Sequence, residues 1–112
     1  MIILKCKKES KEYLVRKDSI LYAVKESEQI LFKTKEAEYY LSRTSLDTVN
    51  KRLNLYKAHS YLLVNIENVV SLERKYIIFV TGEKYGICEA YMYRLKRYIN
   101  NFINSWYFNK KL

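Results

Sequence analysis

A change of hydrophobic period near Glu89 limits the fold of this chain. Before it, apolar residues come in short runs, rich in β-branched and aromatic side chains, with charged or glycine-bearing turns between them. Such runs are typical of antiparallel strands. After it, apolar residues recur at intervals of three and four, as in an amphipathic helix. We therefore predict a mostly β domain of short antiparallel strands in small packed sheets, with one short middle helix and a longer C-terminal helix.

The first half contains three strand-like runs, at residues 20–24, 29–33 and 38–42. A helix of two to three turns is predicted over residues 45–53. Its start resembles a capping box, Thr44-x-x-Asp47. Its apolar positions are Leu46, Val49 and Leu53.

The second half begins with a short apolar run that ends at Asn65. Residues 69–72 and 76–80 then predict a hairpin around a charged turn. In the following turn Gly82 can adopt a positive φ. A last short strand is predicted at 85–88.

The C-terminal helix is predicted over about 89–107, and the tail 108–112 is expected to fray. Residues 1–112 are expected to form a single domain. We expect Leu95 and Ile99 to pack on the domain's own sheet. The apolar stripe of the helix comprises Met92, Leu95, Ile99, Phe102 and Trp106.

The net charge of +9 is unevenly distributed along the chain. Residues 1–50 carry 10 Lys or Arg and 8 Asp or Glu, which leaves +2. Residues 51–112 carry 11 and 4, which leaves +7. A basic second half indicates a polyanionic partner, and a solvated basic face is the alternative explanation.

Several classes of protein are disfavoured by the sequence. No segment is long and apolar enough to cross a membrane, and the N-terminal apolar run is too short for a signal peptide. Cys6 and Cys88 match no metal or redox spacing. We expect a cytoplasmic protein with two ordinary thiols, no metal and no cofactor.

Catalysis is not expected either. His59 is the only histidine, and no serine, cysteine or carboxylate stands at a spacing typical of a triad or a metal site. Gly82 and Gly86 are the only glycines, so no glycine-rich phosphate loop exists. We assign most of the 12 tyrosines to half-buried strand positions rather than to base stacking.

The order of these segments resembles the LytTR family of DNA-binding domains over about residues 2–100. The family often has a segment like "hrSylVNl", and here residues 56–65 read YKAHSYLLVN. Residues 18–24, DSILYAV, look like the family's "dIlYie" strand, and residues 44–53 look like its "sL..le..L" helix. The resemblance implies a sequence-preferring duplex-DNA-binding domain of a bacterial-type transcriptional regulator, related to response regulators. It also implies loops that enter successive major grooves, typically with two domains on a direct repeat and a possible homodimer on DNA, and no small-molecule substrate or membrane partner.

The resemblance also implies which residues face DNA. His59 and Ser60 occupy one DNA-facing loop, and Glu89, followed by Ala90, stands where the family commonly has basic or polar residues. A glutamate there can accept from a cytosine amino group but is repelled by phosphates. The early loop 25–29 is another DNA-facing position and carries Glu26 and Glu28. The predicted phosphate contacts are Lys57, Lys84, Arg94 and Arg97.

Two other functions fit the sequence. A protein-interaction or dimerisation module could keep the fold and use the apolar stripe Met92–Trp106 to pair with itself or another protein. A basic RNA-binding domain is the third interpretation. The acidic residues Glu26, Glu28 and Glu89 argue against DNA binding, whereas the basic second half favours it.

Overall fold

The protein folds into two antiparallel sheets and two helices, as predicted from the sequence. The structure is a computed structural model that describes the backbone of residues 3–111 and the side chains of residues 4–101. The helices are α1 (Leu46–Leu53) and α2 (Glu89–Lys111). The strands are β1 (Ile3–Lys8), β2 (Lys11–Arg16), β3 (Ile20–Glu26), β4 (Gln29–Thr34), β5 (Glu38–Ser42), β6 (Tyr56–His59), β7 (Leu62–Val64), β8 (Val69–Glu73), β9 (Tyr76–Phe79) and β10 (Lys84–Gly86).

The main sheet has seven strands in the order β2-β1-β5-β4-β3-β7-β6, and the small sheet has the order β10-β9-β8. The hairpin β8–β9 and the turn at Gly82, with φ +88°, are confirmed. The hairpin β1–β2 was not predicted. Its two turn residues, Glu9 and Ser10, adopt positive φ values without a glycine or an asparagine, so the sequence carries no turn signal there.

The main sheet separates two apolar cores. On one face, α1 packs through Leu46, Val49 and Leu53 against the sheet. On the other face, the small sheet and α2 bury Phe79 and Leu95. A shift of register between Ile20 and Tyr22 in β3 lets the consecutive residues Leu21 and Tyr22 both face the second core, whereas successive side chains alternate in a regular strand.

The start of α1 differs from the predicted capping box. Ser45, not Thr44, is the N-cap, and its hydroxyl accepts a hydrogen bond from the backbone N–H of Thr48 at 3.1 Å. This choice makes Leu46 the first helical residue, where it is buried against the sheet. Asp47 is thereby free to pair with a lysine of β6.

Helix α2 continues to Lys111, beyond the predicted end near 107. Met92 and Leu95 are buried in the second core and Ile99 packs against it, as expected. The predicted stripe positions Phe102 and Trp106 lie outside the residues whose side chains are described. The fraying of the tail and the single-domain boundary stay predictions.

Two buried asparagines fasten the start of β3. The Asn65 side-chain amide donates to the carbonyls of Lys17 at 3.1 Å and Ile20 at 2.9 Å. The Asn68 amide donates to the carbonyls of Asp18 at 3.0 Å and Ile20 at 2.7 Å. Both amides thus donate to the Ile20 carbonyl, and these hydrogen bonds compensate the burial of the two polar side chains.

Candidate nucleic-acid interface

Several loops that are distant in sequence meet at one end of the main sheet, which we call the turn end. It carries the β3–β4 turn, the β6–β7 turn and the start of α1. The backbone N–H of Lys25 donates to the carbonyl of Tyr61 at 2.9 Å, and its ammonium donates to the carbonyl of Thr44 at 3.1 Å. The fold thus joins the predicted early loop and the His59–Ser60 loop into one surface.

His59 closes β6 at this end and is half-buried. Its Nδ1 accepts a hydrogen bond from the backbone N–H of Tyr61 at 3.2 Å. Burial lowers the pKa of His59, so the ring is neutral near pH 7. A neutral ring with Nδ1 as acceptor carries its proton on Nε2, which is then a donor.

A shallow groove joins this turn to the start of α2, and we call it the His59 groove. The His59 ring lies with its centroid 5.3 Å from that of Tyr91 in the first turns of α2. Ser60 and Tyr61 are exposed at its rim, and Tyr61 is 61% exposed. The groove therefore offers polar donors beside an aromatic wall. Its lining residues are His59, Ser60, Tyr61, Gly86, Ile87, Cys88 and Tyr91.

Glu89 begins α2 directly beside the groove. The Cys88 carbonyl accepts a hydrogen bond from the backbone N–H of Met92 at 3.0 Å, and this bond lies at the start of the helix. A carboxylate in the first turn is stabilised by the partial positive charge of the helix N-terminus, typically by ~0.3–1 kcal/mol. Glu89 thus has a role in the helix that does not require DNA.

Arg94 and Arg97 lie on the exposed side of α2. The Arg94 guanidinium lies 5.9 Å from the ring centroid of Tyr91, and the Arg97 guanidinium lies 5.9 Å from that of Tyr93. Stacking on an aromatic face leaves the N–H groups of a guanidinium free to donate outward. Among the side chains that the structure describes, neither arginine forms an ion pair.

The two predicted lysines differ in their surroundings. The Lys57 ammonium lies 2.8 Å from a carboxylate oxygen of Asp47, and this contact lowers the pKa of Asp47. Lys57 lines a second depression at the turn end together with Ser60 and Tyr61. Lys84, at the start of β10, is exposed but does not line the His59 groove.

Acidic residues share the turn end. Glu26 and Glu28 are exposed on either side of Ser27, whose φ of 53° makes the β3–β4 turn. The turn end therefore presents carboxylates beside the basic and neutral donors. Its local charge is more balanced than the +7 of the second half of the chain indicates.

Sequence reasoning missed three residues of this surface. Neither Tyr61 nor Tyr91 was singled out among the 12 tyrosines, and Cys88 was treated as an ordinary thiol. Their positions in the sequence could have indicated two of them, because Tyr61 follows Ser60 and Cys88 precedes Glu89, and both neighbours were predicted to face DNA. Only the fold shows that the two segments share one groove.

Other kinds of site find no support in the described part of the chain. No group of three or more His, Cys, Asp or Glu among the described residues is arranged to hold a metal ion. No described helix has the length and apolar character needed to cross a membrane.

Comparisons with known proteins agree with the fold. The family model "LytTr DNA-binding domain" matches residues 10–100. A solved structure, the LytTr DNA-binding domain of a putative methyl-accepting/DNA response regulator from Bacillus cereus, has a TM-score of 0.70 at 10% sequence identity. The match covers 87% of this chain and 95% of that one, and at this identity it concerns the fold. No curated protein sequence matches the chain.

Proposed function

The chain belongs to the LytTR family of DNA-binding domains, and from this premise we propose that its turn end enters the major groove of duplex DNA and prefers particular sequences. Family membership supports DNA binding by the domain of a transcriptional regulator. The finer proposal concerns which atoms read the bases, which hold the phosphates and how two domains are arranged.

The observation that carries the proposal is the pairing of His59 with Tyr61 at the tip of an exposed turn. The backbone N–H of Tyr61 donates a hydrogen bond to Nδ1 of His59. The ring proton is therefore on Nε2, which is left as a donor. Purine N7 and guanine O6 are acceptors on the floor of the major groove. Ser60, next along the turn, adds a hydroxyl that donates or accepts.

Basic side chains flank this turn and supply the contacts that orient the domain. Arg94 and Arg97 project from the exposed side of α2, and Lys57 projects from β6. Contacts of this kind fix position on the duplex without reading sequence. Lys84 lies farther from the His59 groove, and we assign it a contact with an outer phosphate.

Glu89 can affect DNA binding in two opposite ways, depending on which part of the duplex it faces. Beside phosphates it weakens binding by repulsion. Facing a cytosine amino group it accepts a hydrogen bond and adds preference for that base.

The first experiment measures salt dependence by fluorescence anisotropy with random duplex DNA. The logarithm of the binding constant should fall linearly with the logarithm of salt concentration, by about 0.9 per phosphate contact. Arg94→Ala and Lys57→Ala should each reduce that slope by about one contact and leave sequence preference unchanged.

Lys35→Ala is the matched control. Lys35 is exposed in the β4–β5 turn, at the opposite end of six-residue β4 from the turn end. That separation is roughly 20 Å at the usual rise of a strand. Absence of duplex binding at low salt would contradict the proposal. Equal slopes for the Arg94 and Lys35 variants would contradict the placement of the interface.

The second experiment compares a selected site with random duplex. His59→Ala should weaken binding to the selected site by about 1–3 kcal/mol and change random binding little. Glu89→Arg should strengthen random binding, because it replaces a carboxylate by a cation near phosphates. If both variants leave both affinities unchanged, this turn does not meet DNA even though the fold is right.

The third experiment addresses arrangement. We propose that two domains bind a direct repeat, with a homodimer forming on DNA. The measurement compares two duplexes that carry the selected site twice at equal spacing, one in direct and one in inverted orientation. The direct repeat should bind two domains with the higher affinity. Equal binding of both orientations would contradict the tandem arrangement.

A further inference from the structure

Strand β2 is an open edge of the main sheet. It pairs only with β1, over all six of its residues and without a shift of register. Leu14 is 71% exposed, and among the described residues no element covers the outer side of the strand. A strand of this kind presents a row of unpaired N–H and C=O groups to any second strand.

The opposite edge, β6, is protected in ways that β2 is not. Its pairing with β7 shifts between Lys57 and His59, as at a bulge. Helix α2 packs beside it, with the rings of Tyr56 and Tyr98 4.5 Å apart. Bulges and covering elements are common protections of edge strands. β2 has no bulge and no proline, so its protection rests on charged side chains alone.

The hairpin geometry shows which β2 residues point their backbone N–H and C=O groups outward, that is, away from β1. Lys8 and Lys11 flank the two-residue turn Glu9–Ser10, in which both φ values are positive. In such a turn the flanking pair is hydrogen-bonded, and the alternation of an antiparallel ladder then follows. The outward N–H and C=O groups belong to Glu12, Leu14 and Arg16.

We propose that β2 pairs antiparallel with β2 of a second copy of this chain, with the two Leu14 residues opposite each other on the two-fold axis. In this register Glu12 of each copy faces Arg16 of the other. Both charged pairs and Leu14 lie on one face, because side chains two residues apart share a face. Opposite charges directly across a strand pair are stabilising.

The charge pattern selects this register and this partner. A shift of two residues in one direction sets Leu14 opposite Glu12, and in the other it sets Leu14 opposite Arg16. Only pairing about Leu14 matches an acid with a base at both ends. Three features act against it. Glu12 already pairs with Lys5 at 2.7 Å, the Arg16 carbonyl already accepts a hydrogen bond from the Ser19 hydroxyl at 2.8 Å, and Lys11 would face Lys17 just beyond the paired residues. Glu12, Leu14 and Arg16 of one copy are nevertheless complementary in charge to the same three residues of the second copy.

The contact leaves the candidate DNA surface free. β2 and β6 are opposite edges of the main sheet, and the His59 groove lies at the β6 side. A β2 dimer would therefore carry two DNA surfaces in one particle. A two-fold contact does not itself generate a direct repeat, so this dimer is separate from the tandem arrangement on DNA and forms without DNA.

The first test is sedimentation velocity of the full chain without DNA, over the accessible range of protein concentration. The wild type should show a concentration-dependent dimer. Glu12→Arg and Arg16→Glu each place like charges opposite in both pairs, and each should weaken dimerisation roughly tenfold. The double variant restores opposite charges and should recover the dimer.

These variants discriminate a contact between copies from a role within one copy. All variants at Glu12 lose its pairing with Lys5, so recovery in the double variant has no explanation inside one chain. A wild type that stays monomeric at every concentration would overturn the proposal. So would single variants that dimerise as the wild type does, or a double variant that stays monomeric.

The second test is oxidative cross-linking and does not depend on the charged residues. In a Cys88→Ser background, Leu14→Cys should form a disulfide between copies, since paired Cα atoms in a hydrogen-bonded pair are about 5.5 Å apart. Val70→Cys on β8 is the matched control, because Val70 is 60% exposed. Equal cross-linking of the two variants, or none with Leu14→Cys, would overturn the proposed register.

Discussion

Replacement of Asn65 should reveal how strongly the two-asparagine clamp stabilises the fold. Its amide makes two hydrogen bonds to backbone carbonyls, and the residue is 2% exposed. Each such bond contributes about 1 kcal/mol net. Asn65→Ala removes both, so we expect the free energy of unfolding to fall by about 2 kcal/mol. In urea this is a shift of the midpoint by about 1 M for a domain of this size.

Asn65→Asp is the sharper variant, because it keeps the shape and replaces the donating NH2 by an oxygen. A buried carboxylate beside two carbonyls should be less stable than alanine in the same place. Its pKa should rise above the unfolded value of about 3.9. The native state then binds more protons than the unfolded state, so the stability of this variant should fall as pH rises above about 4.

Urea unfolding of the wild type and both variants between pH 4 and pH 8 provides the measurement. The additional loss of stability toward high pH should be confined to Asn65→Asp. DNA affinity per folded molecule should not change, because the clamp lies at the start of β3 and the turn end lies beyond its last residue, Glu26. An alanine variant within about 0.5 kcal/mol of the wild type would refute the reasoning, as would an aspartate variant with no pH dependence of its own.

Three further predictions concern the second core and the thiols. Leu95→Ala should reduce the free energy of unfolding by about 2–5 kcal/mol in denaturant titrations, since Leu95 is fully buried; an unchanged stability with loss of a dimer would instead make the α2 stripe an interface between copies. A thiol reagent at pH 8 should label exposed Cys88 quickly and leave Cys6 protected until unfolding, because burial raises the pKa of the Cys6 thiol to about 11. Saturating DNA should slow the labelling of Cys88, which lines the His59 groove, and equal labelling with and without DNA would count against that placement.

The sequence predicted those elements that have strong local signals. Gly82 and the hairpin around 73–75 were found because turn chemistry is local. The β1–β2 hairpin was missed because Glu9 and Ser10 take a conformation that their residue types rarely indicate. The capping residue of α1 was misplaced by one position, because Thr44 and Ser45 are both good caps and the cap at Ser45 is the one found with Leu46 buried as the first helical residue.

The site was harder to predict than the fold, because it is assembled from separate segments. The family resemblance indicated the His59 loop and the start of α2, yet it did not show that they form one groove. Nor could the pattern show that Asp47 pairs with Lys57, a contact between α1 and β6. Long-range partners of this kind depend on sheet order, and sequence periodicity does not determine sheet order.

The mixture of charges at the turn end has a consequence for selectivity. Non-specific binding depends almost wholly on cations near phosphates, whereas base contacts add only at the right sequence. If the turn end meets DNA as proposed, the repulsion between phosphates and Glu26, Glu28 and Glu89 acts on every duplex and leaves the donor of His59 in place. The ratio of specific to non-specific affinity decides function among many competing sites, and a repulsion common to all duplexes lowers both affinities while leaving that ratio unchanged. At the proposed interface, selectivity must therefore come from base contacts, which are those proposed for His59 and Ser60 and a possible acceptor contact of Glu89 with cytosine.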